Sequence, residues 1–161
     1  MHAHDAPVVV AFDGSEEATA AVRVAAALFA GRRLIVVSVW EPELAVMLPA
    51  MNDPSGMTGL SSAMSSPEQA AAVDRMQRDH ATEVADAGAH AARAAGAEAE
   101  GASVADAGDV AGTIVGVAES HEACVIVVGS RGRGGVRSMF GSTSRALLRR
   151  SVHPVLVVRA S

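Results

Sequence analysis

The residues best suited to chemistry lie between Val125 and Ser144, where an apolar run gives way to glycines, arginines and hydroxyl side chains. Gly129–Gly132 follows the apolar run, and Gly141–Ser144 opens a predicted helix with Ser142 as its N-cap. Glycine lets main-chain N–H groups approach a ligand closely, and helix starts attract anions. Arginine adds permanent charge and forked donors that suit phosphate oxygens. The pattern predicts a phosphate-binding loop.

A carboxylate, Asp13, follows the first predicted strand. Ligands of open α/β sheets bind at the carboxyl ends of the strands, where the winding reverses. With the first strand central, that point lies between strands one and four, so Asp13 and Gly129 should face one crevice. Asp13 could accept hydrogen bonds from ribose hydroxyls while the glycine loop takes phosphates, which indicates a nucleotide. Two alternatives stay open: Asp13 as a turn residue, and Arg131 and Arg133 as solvated surface charges.

Several classes of enzyme are excluded by residues that the chain lacks. All thirteen basic residues are arginine, so Schiff-base, Walker A and kinase-type lysines are absent. Neither a nucleophile elbow nor a His-Glu-x-x-His motif occurs. The single cysteine, Cys124, precludes an intrachain disulfide and is interpreted as a buried thiol. The histidines lack partners at metal-ligand spacing. We therefore assign no catalytic residue and no metal ligand.

Charge is distributed unevenly along the 161 residues. The first 122 residues hold all 18 acidic residues and six arginines, whereas residues 123–161 hold seven arginines and no acid. Nucleic acid is disfavoured as the partner because Phe140 is the only aromatic residue in the basic part. A local phosphate site explains the asymmetry better. No apolar stretch approaches a membrane span and the N-terminus lacks a signal core, which predicts a cytoplasmic protein without membrane contact.

Secondary-structure elements alternate along the chain, and a single domain over 1–161 is expected. The predicted strands are Val8–Phe12, Leu34–Trp40, Ala97–Val104, Val125–Val128 and Val155–Val158. The predicted helices begin near Ser15, Ser66, Asp109 and Ser142. Residues 1–6 are interpreted as a frayed terminus, and 43–66 as a long mobile loop that could act as a lid. Continuous apolar strands predict a parallel sheet with helices on both faces.

With these elements in place, the chain resembles the universal stress protein family over nearly its whole length. Val8–Ser15 is similar to the family's opening strand and Asp-Gly-Ser turn, and Val36–Pro42 to its second strand. Val125–Ser144 resembles the nucleotide loop of the ATP-binding branch, and Pro154–Val158 the closing strand. The resemblance implies a doubly wound five-stranded parallel sheet of order 3-2-1-4-5, like that of adenine nucleotide alpha hydrolases.

The resemblance also implies a ligand and the residues that hold it. The ligand is ATP or another adenine nucleotide, with Mg²⁺ kept open as a companion ion. The adenine and ribose side would be lined by Ala11, Phe12, Asp13 and Val39. Ribose and phosphates would be held by Val128, Gly129, Arg131 and Gly132. The phosphate tail would be held by Gly141, Ser142, Thr143 and Ser144. A homodimer joined through Val155–Val158 is implied as well.

One departure from the family pattern bears on this assignment. Eight residues, Arg133–Phe140, separate Gly132 from Gly141, where the family has nine. The missing residue affects triphosphate contacts more than adenosine contacts. The expected function is adenine-nucleotide binding in stress response or signalling. Two alternatives remain: slow ATP hydrolysis or autophosphorylation on the Ser142–Ser144 hydroxyls, and an interaction module that binds no nucleotide.

Overall fold

The computed structural model describes residues 6–42, 67–132 and 141–160. In these ranges strands and helices alternate. The strands are β1 Val8–Ala11, β2 Leu34–Trp40, β3 Ala99–Ala105, β4 Val125–Gly129 and β5 Val155–Val158. The helices are α1 Glu16–Leu28, α2 Pro67–Ala94, α3 Val110–Ser120 and α4 Ser142–Arg150. The predicted elements are confirmed, with ends that differ by one or two residues.

The strands form one parallel sheet of order β3-β2-β1-β4-β5. In the register, Val8 pairs with Leu34 on one side and with Val125 on the other. The winding therefore reverses between β1 and β4, as the sequence predicts. The expected doubly wound fold is confirmed, and its ligand-binding crevice should lie at the carboxyl ends of these two strands.

Alternate residues of the central strands enter two separate cores, because successive side chains of a strand point to opposite faces. Val8 and Val10 pack with α1 and α2, whereas Val9 and Ala11 pack with α3 and α4. All four are buried. Burial on both faces explains why these strands are apolar without alternation.

Capping residues mark the helix starts that position the crevice. The Ser15 hydroxyl accepts the N–H of Ala18 at 3.1 Å, and the Asp109 carboxylate accepts the N–H of Gly112 at 3.0 Å. Both caps satisfy main-chain donors that would otherwise lack an acceptor. The first turns of α1 and α3 are therefore fixed next to the carboxyl edge of the sheet.

Helix α2 approaches the sheet closely at Gly88. A Cβ atom added there would lie 2.7 Å from Val36 Cγ1 and 2.8 Å from Phe12 Cδ1. A glycine in the middle of a helix is intrinsically unfavourable. Its place here is explained by the Phe12 ring, which occupies the space that a side chain would need.

An ion pair joins α3 to α4 on the other face of the sheet. Arg150 Nη1 lies 2.7 Å from Asp109 Oδ2, and both side chains are about half exposed. The N–H of Gly112 and then the Arg150 guanidinium lower the pKa of Asp109 below its ordinary value of 3.8, because both stabilise the charged carboxylate. One side chain thus caps α3 and holds the end of α4.

Three predictions fall wholly or largely on residues outside the described ranges. These are the frayed terminus at 1–6, of which only Ala6 is described, the lid at 43–66, and the shortened segment Arg133–Phe140. Among the helices that the structure describes, none has the length and apolar character to cross a membrane. The cytoplasmic location stays a prediction.

Candidate functional site

A cavity of about 370 Å³ opens at the carboxyl ends of β1, β2 and β4. Its volume lies in the range of small-molecule pockets. All twelve residues that the resemblance assigned to the nucleotide line it: Ala11, Phe12, Asp13, Val39, Val128, Gly129, Arg131, Gly132, Gly141, Ser142, Thr143 and Ser144. The structure brings them together, while their role in binding stays a prediction.

Six further residues line the same cavity and were not predicted. They are Ala18, Val37, Ser38, Val110, Ile114 and Arg145. Val110 and Ile114 are four residues apart in α3 and therefore lie on one face of that helix. Which part of that face covers the cavity depends on how α3 packs on the sheet, and a single sequence does not contain that information.

One half of the cavity is apolar. Ala11, Val37, Val39 and Val128 line it from the strands, and α3 contributes Val110 and Ile114. Aliphatic side chains on the walls of a cavity suit a flat ring that exposes little charge on its faces. This half could accommodate a nucleobase.

Asp13 lies at the boundary between the apolar and polar halves and has two structural roles. Its Oδ1 accepts the N–H of Ser15 at 3.0 Å, which fixes the turn through Gly14. Gly14 has a φ of +79°, a conformation that favours glycine. Asp13 Oδ2 lies only 2.7 Å from the position that a Cβ of residue 132 would take. The Asp13 carboxylate therefore stabilises the turn and also lies opposite the glycine loop, as predicted.

Gly129 lines the cavity and also has a packing role. A Cβ there would lie 2.8 Å from the carbonyl carbon of Glu17 and 3.0 Å from the main-chain nitrogen of Ala18. The missing side chain therefore lets the first turn of α1 pack against the end of β4. Gly132, by contrast, keeps open the space in front of Asp13.

The start of α4 is fastened to the end of β4. The N–H of Gly141 donates to the Ser130 carbonyl at 2.6 Å, and the Ser144 hydroxyl lies 3.2 Å from the same oxygen. The Ser144 hydroxyl also donates to the Gly141 carbonyl at 3.1 Å and is buried. The Gly141 N–H and the Ser144 hydroxyl are thus hydrogen-bonded within the protein. The hydroxyls of this turn that are at least partly exposed belong to Ser142 and Thr143.

The prediction that Ser142 is the N-cap of this helix is wrong. The N-cap is Gly141, without a side-chain hydrogen bond, and Ser142 is the first helical residue. The reason is the bond from Gly141 to Ser130, which holds Gly141 in an extended conformation while its carbonyl accepts the N–H of Arg145 at 3.2 Å. Helix geometry leaves the first N–H groups of α4 without intrahelical acceptors. Their partial positive charge faces the polar half of the cavity.

Charged side chains flank this polar half. Arg131 Nε lies 3.8 Å from Glu17 Oε1, and Arg145 lines the wall at the first turn of α4. Arg133, the other arginine that the sequence singled out, is outside the described residues. Two guanidinium groups beside a helix start make this half suitable for a phosphorylated ligand.

Among the described residues, no three histidine, cysteine or acidic side chains come close enough to hold a metal ion. The cavity lining there includes no histidine. The arrangement can therefore bind and orient an anion, and Asp13 is the only carboxylate among the described lining residues.

Comparisons with known proteins agree with this fold. A universal stress protein from Archaeoglobus fulgidus in complex with dAMP is 26% identical, with 95% of this chain and 97% of that chain covered and a TM-score of 0.61. Another structure of a universal stress protein from this organism is 25% identical, covers 95% and 98%, and has a TM-score of 0.63. A universal stress protein in complex with cAMP is 23% identical, covers 98% of each chain, and supports the fold alone at a TM-score of 0.63.

A search among curated proteins gave no significant match. The profile of the Universal stress protein family, however, matches residues 6–159. That range includes every strand and helix described above and all residues lining the cavity. The chain therefore belongs to the universal stress protein family.

Proposed function

We propose that the protein binds an adenine nucleotide in the cavity at the carboxyl ends of β1 and β4, and acts in stress response or signalling through the bound state. The observation that carries this proposal is the division of the cavity. An apolar half shaped by β2 and α3 adjoins a half lined by Arg131, Arg145 and the start of α4. A nucleotide has the same division, with a flat base at one end and anionic phosphates at the other.

The dAMP complex of the similar Archaeoglobus fulgidus protein supports an adenine nucleotide as the ligand. We propose ATP as the form bound, because two arginines and the helix start supply more positive charge than one phosphate needs. Mg²⁺ would accompany the phosphates of ATP, since this ion is usually held by one or two carboxylates together with phosphate oxygens. Asp13 is the carboxylate among the described residues that line the cavity.

A homodimer formed through β5 belongs to the same proposal. β5 is an end strand of the sheet, and its residues Val155, Leu156 and Val157 are only partly buried. An apolar end strand with one open side readily pairs with another chain. Pairing of two β5 strands would give a closed twofold assembly.

Calorimetric titration with ATP, AMP and adenosine tests the proposal, with Gly132→Val as the key variant. A valine side chain at residue 132 would collide with Asp13 Oδ2 and fill the entrance between the two halves. We expect the variant to fold normally and its affinity for ATP to fall about 5- to 150-fold.

Gly116→Val is the matched control, because residue 116 is an exposed glycine of α3 with open space around its Cβ position. It should bind as the native protein does. If Gly132→Val binds ATP with native affinity, this cavity is not the nucleotide site. If the native protein binds none of the three ligands, the interaction module becomes the better description.

A further inference from the structure

The pairing of Glu17 with Arg131 places a carboxylate beside the predicted phosphate end of the cavity. The Glu17 side chain is 20% exposed and that of Arg131 is 41% exposed, so the acid is the more enclosed partner. Arg131 lines the cavity, whereas Glu17 is not one of its lining residues. The arginine that would contact a phosphate therefore already faces a negative charge from the protein.

The main chain of Glu17 cannot easily withdraw from this position. Its carbonyl carbon packs against Gly129, at 2.8 Å from the position of an added Cβ. The Ser15 cap also holds the turn, since the Ser15 hydroxyl accepts from Ala18 and the Ser15 carbonyl accepts from the Thr19 hydroxyl at 2.9 Å. The carboxylate is thus built into a rigid first turn.

We propose that Glu17 is a specificity-determining residue that competes with ligand phosphates for Arg131 and so weakens binding as the phosphate charge of the ligand increases. This inference rests on the proposed nucleotide-binding function. In the protein without ligand, Arg131 faces Glu17. When a phosphorylated ligand enters, the guanidinium turns to the phosphate and the Glu17 carboxylate loses its partner.

Glu17 could either compete with the phosphates for Arg131 or hold Arg131 in the orientation that binds them. The distance between the two side chains favours competition. At 3.8 Å the Nε–Oε1 separation exceeds hydrogen-bond distance, so Glu17 does not hold the guanidinium in a fixed orientation. A loose, partly exposed pair of this kind contributes little to stability. The repulsion between its carboxylate and an incoming phosphate remains, and it grows with phosphate charge. Adenosine has no phosphate and should not be affected.

Glu17→Gln tests the inference, and Glu16→Gln is its matched control. Both substitutions remove one negative charge from the first turn of α1, but Glu16 is exposed and precedes the residue that faces Arg131. We expect Glu17→Gln to raise the affinity for ATP about two- to five-fold, to raise that for AMP less, and to leave that for adenosine unchanged. Glu16→Gln should change none of these affinities by as much.

Combining Glu17→Gln and Glu16→Gln in turn with Arg131→Gln shows whether the change in ATP affinity depends on Arg131. The gain in ATP affinity from Glu17→Gln should shrink in the Arg131→Gln background. An equal gain in both backgrounds, a gain of the same size from Glu16→Gln, or a loss of ATP affinity in Glu17→Gln would overturn the competition. Nucleotide binding by the native protein would stand in each of these cases. Absence of binding by the native protein would instead remove the proposed function and this inference with it.

Discussion

Gly129 and Gly132, at the carboxyl end of β4, have different structural roles. Gly129 gives room to the main chain of α1, and Gly132 gives room to the carboxylate of Asp13. Main chain in a packed helix cannot yield, whereas a side-chain carboxylate can rotate. Stability and ligand binding should therefore respond separately to substitution at these positions.

Gly129→Ala should lower the free energy of unfolding by about 1–3 kcal/mol, because its methyl group would press against Glu17. Gly132→Ala should leave the unfolding free energy nearly unchanged and weaken nucleotide binding. Urea unfolding and calorimetric titration of both variants check this. Equal losses of stability in the two variants would contradict the assignment.

At the level of single residues, the sequence allowed the strand-end positions of the site to be predicted. Asp13 and Gly129 each follow an apolar run, and the topology of a parallel sheet brings such positions together. Arg145 and the partnership of Glu17 with Arg131 were missed, because both depend on where a helix is placed against the sheet. The N-cap of α4 was assigned wrongly because a long-range bond from Gly141 to Ser130 outweighs the capping preference of serine.

At the level of elements, uninterrupted β-branched runs and clear helix starts made the strands and helices predictable. The residues at which strands and helices end depend instead on contacts with adjacent elements. β1 ends at Ala11, for example, yet the N–H of Phe12 still donates to the Val37 carbonyl at 2.8 Å. The close contact of α2 with the sheet at Gly88 could not be predicted, since a helical glycine looks the same in a sequence whether it is packed or open.

Replacing one glycine in each of two helices by alanine tests whether the glycine is tightly packed or has open space around it. Gly116→Ala should raise the free energy of unfolding by about 0.5–1 kcal/mol, because alanine favours helix and the space there is open. Gly88→Ala should lower it, because the overpacking cost of about 1–3 kcal/mol against Phe12 and Val36 exceeds the helical gain. Thermal and urea unfolding provide the comparison. A stabilising Gly88→Ala would show that α2 packs less tightly than described.

The tie between α3 and α4 should depend on pH. The pKa of Asp109 is lowered in the folded protein, so its ionised form contributes stability above the ordinary pKa of 3.8. That contribution is lost as the pH falls through the lowered value. Asp109→Asn keeps a capping side chain but removes the charge that pairs with Arg150. We expect the variant to be less stable than the native protein at pH 7, with the difference closing below pH 3.8.

Urea midpoints of both proteins from pH 7 downwards measure this effect. A difference that stays constant through the acidic range would mean that the charge of Asp109 is not its source. Arg150→Gln removes the partner and should reproduce part of the loss at pH 7.

At the level of the whole molecule, the proposed dimer depends on the outer edge of β5, an end strand of the sheet. The carbonyls of Pro154 and Val158 accept N–H groups from the β4 side. By the two-residue period of a strand, the N–H of Val157 points to the outer edge and that of Leu156 points inward. Proline is tolerated in a strand only where no ladder hydrogen bond is lost.

Val157→Pro should therefore leave the fold intact and yield monomers, if the proposed dimer forms through this edge. Leu156→Pro is the contrasting variant, and it should destabilise the sheet itself. Sedimentation velocity reports the mass of each species, and circular dichroism reports its folding. A folded Val157→Pro dimer would place the subunit interface elsewhere.

The main-chain bond between Gly141 and Ser130 has a consequence for engineering and for evolution. It joins the start of α4 directly to the residue that follows β4, at the two ends of the intervening segment. We expect insertions or replacements between residues 133 and 140 to be accepted without loss of the scaffold. New recognition segments could then be grafted between Gly132 and Gly141, which both line the cavity.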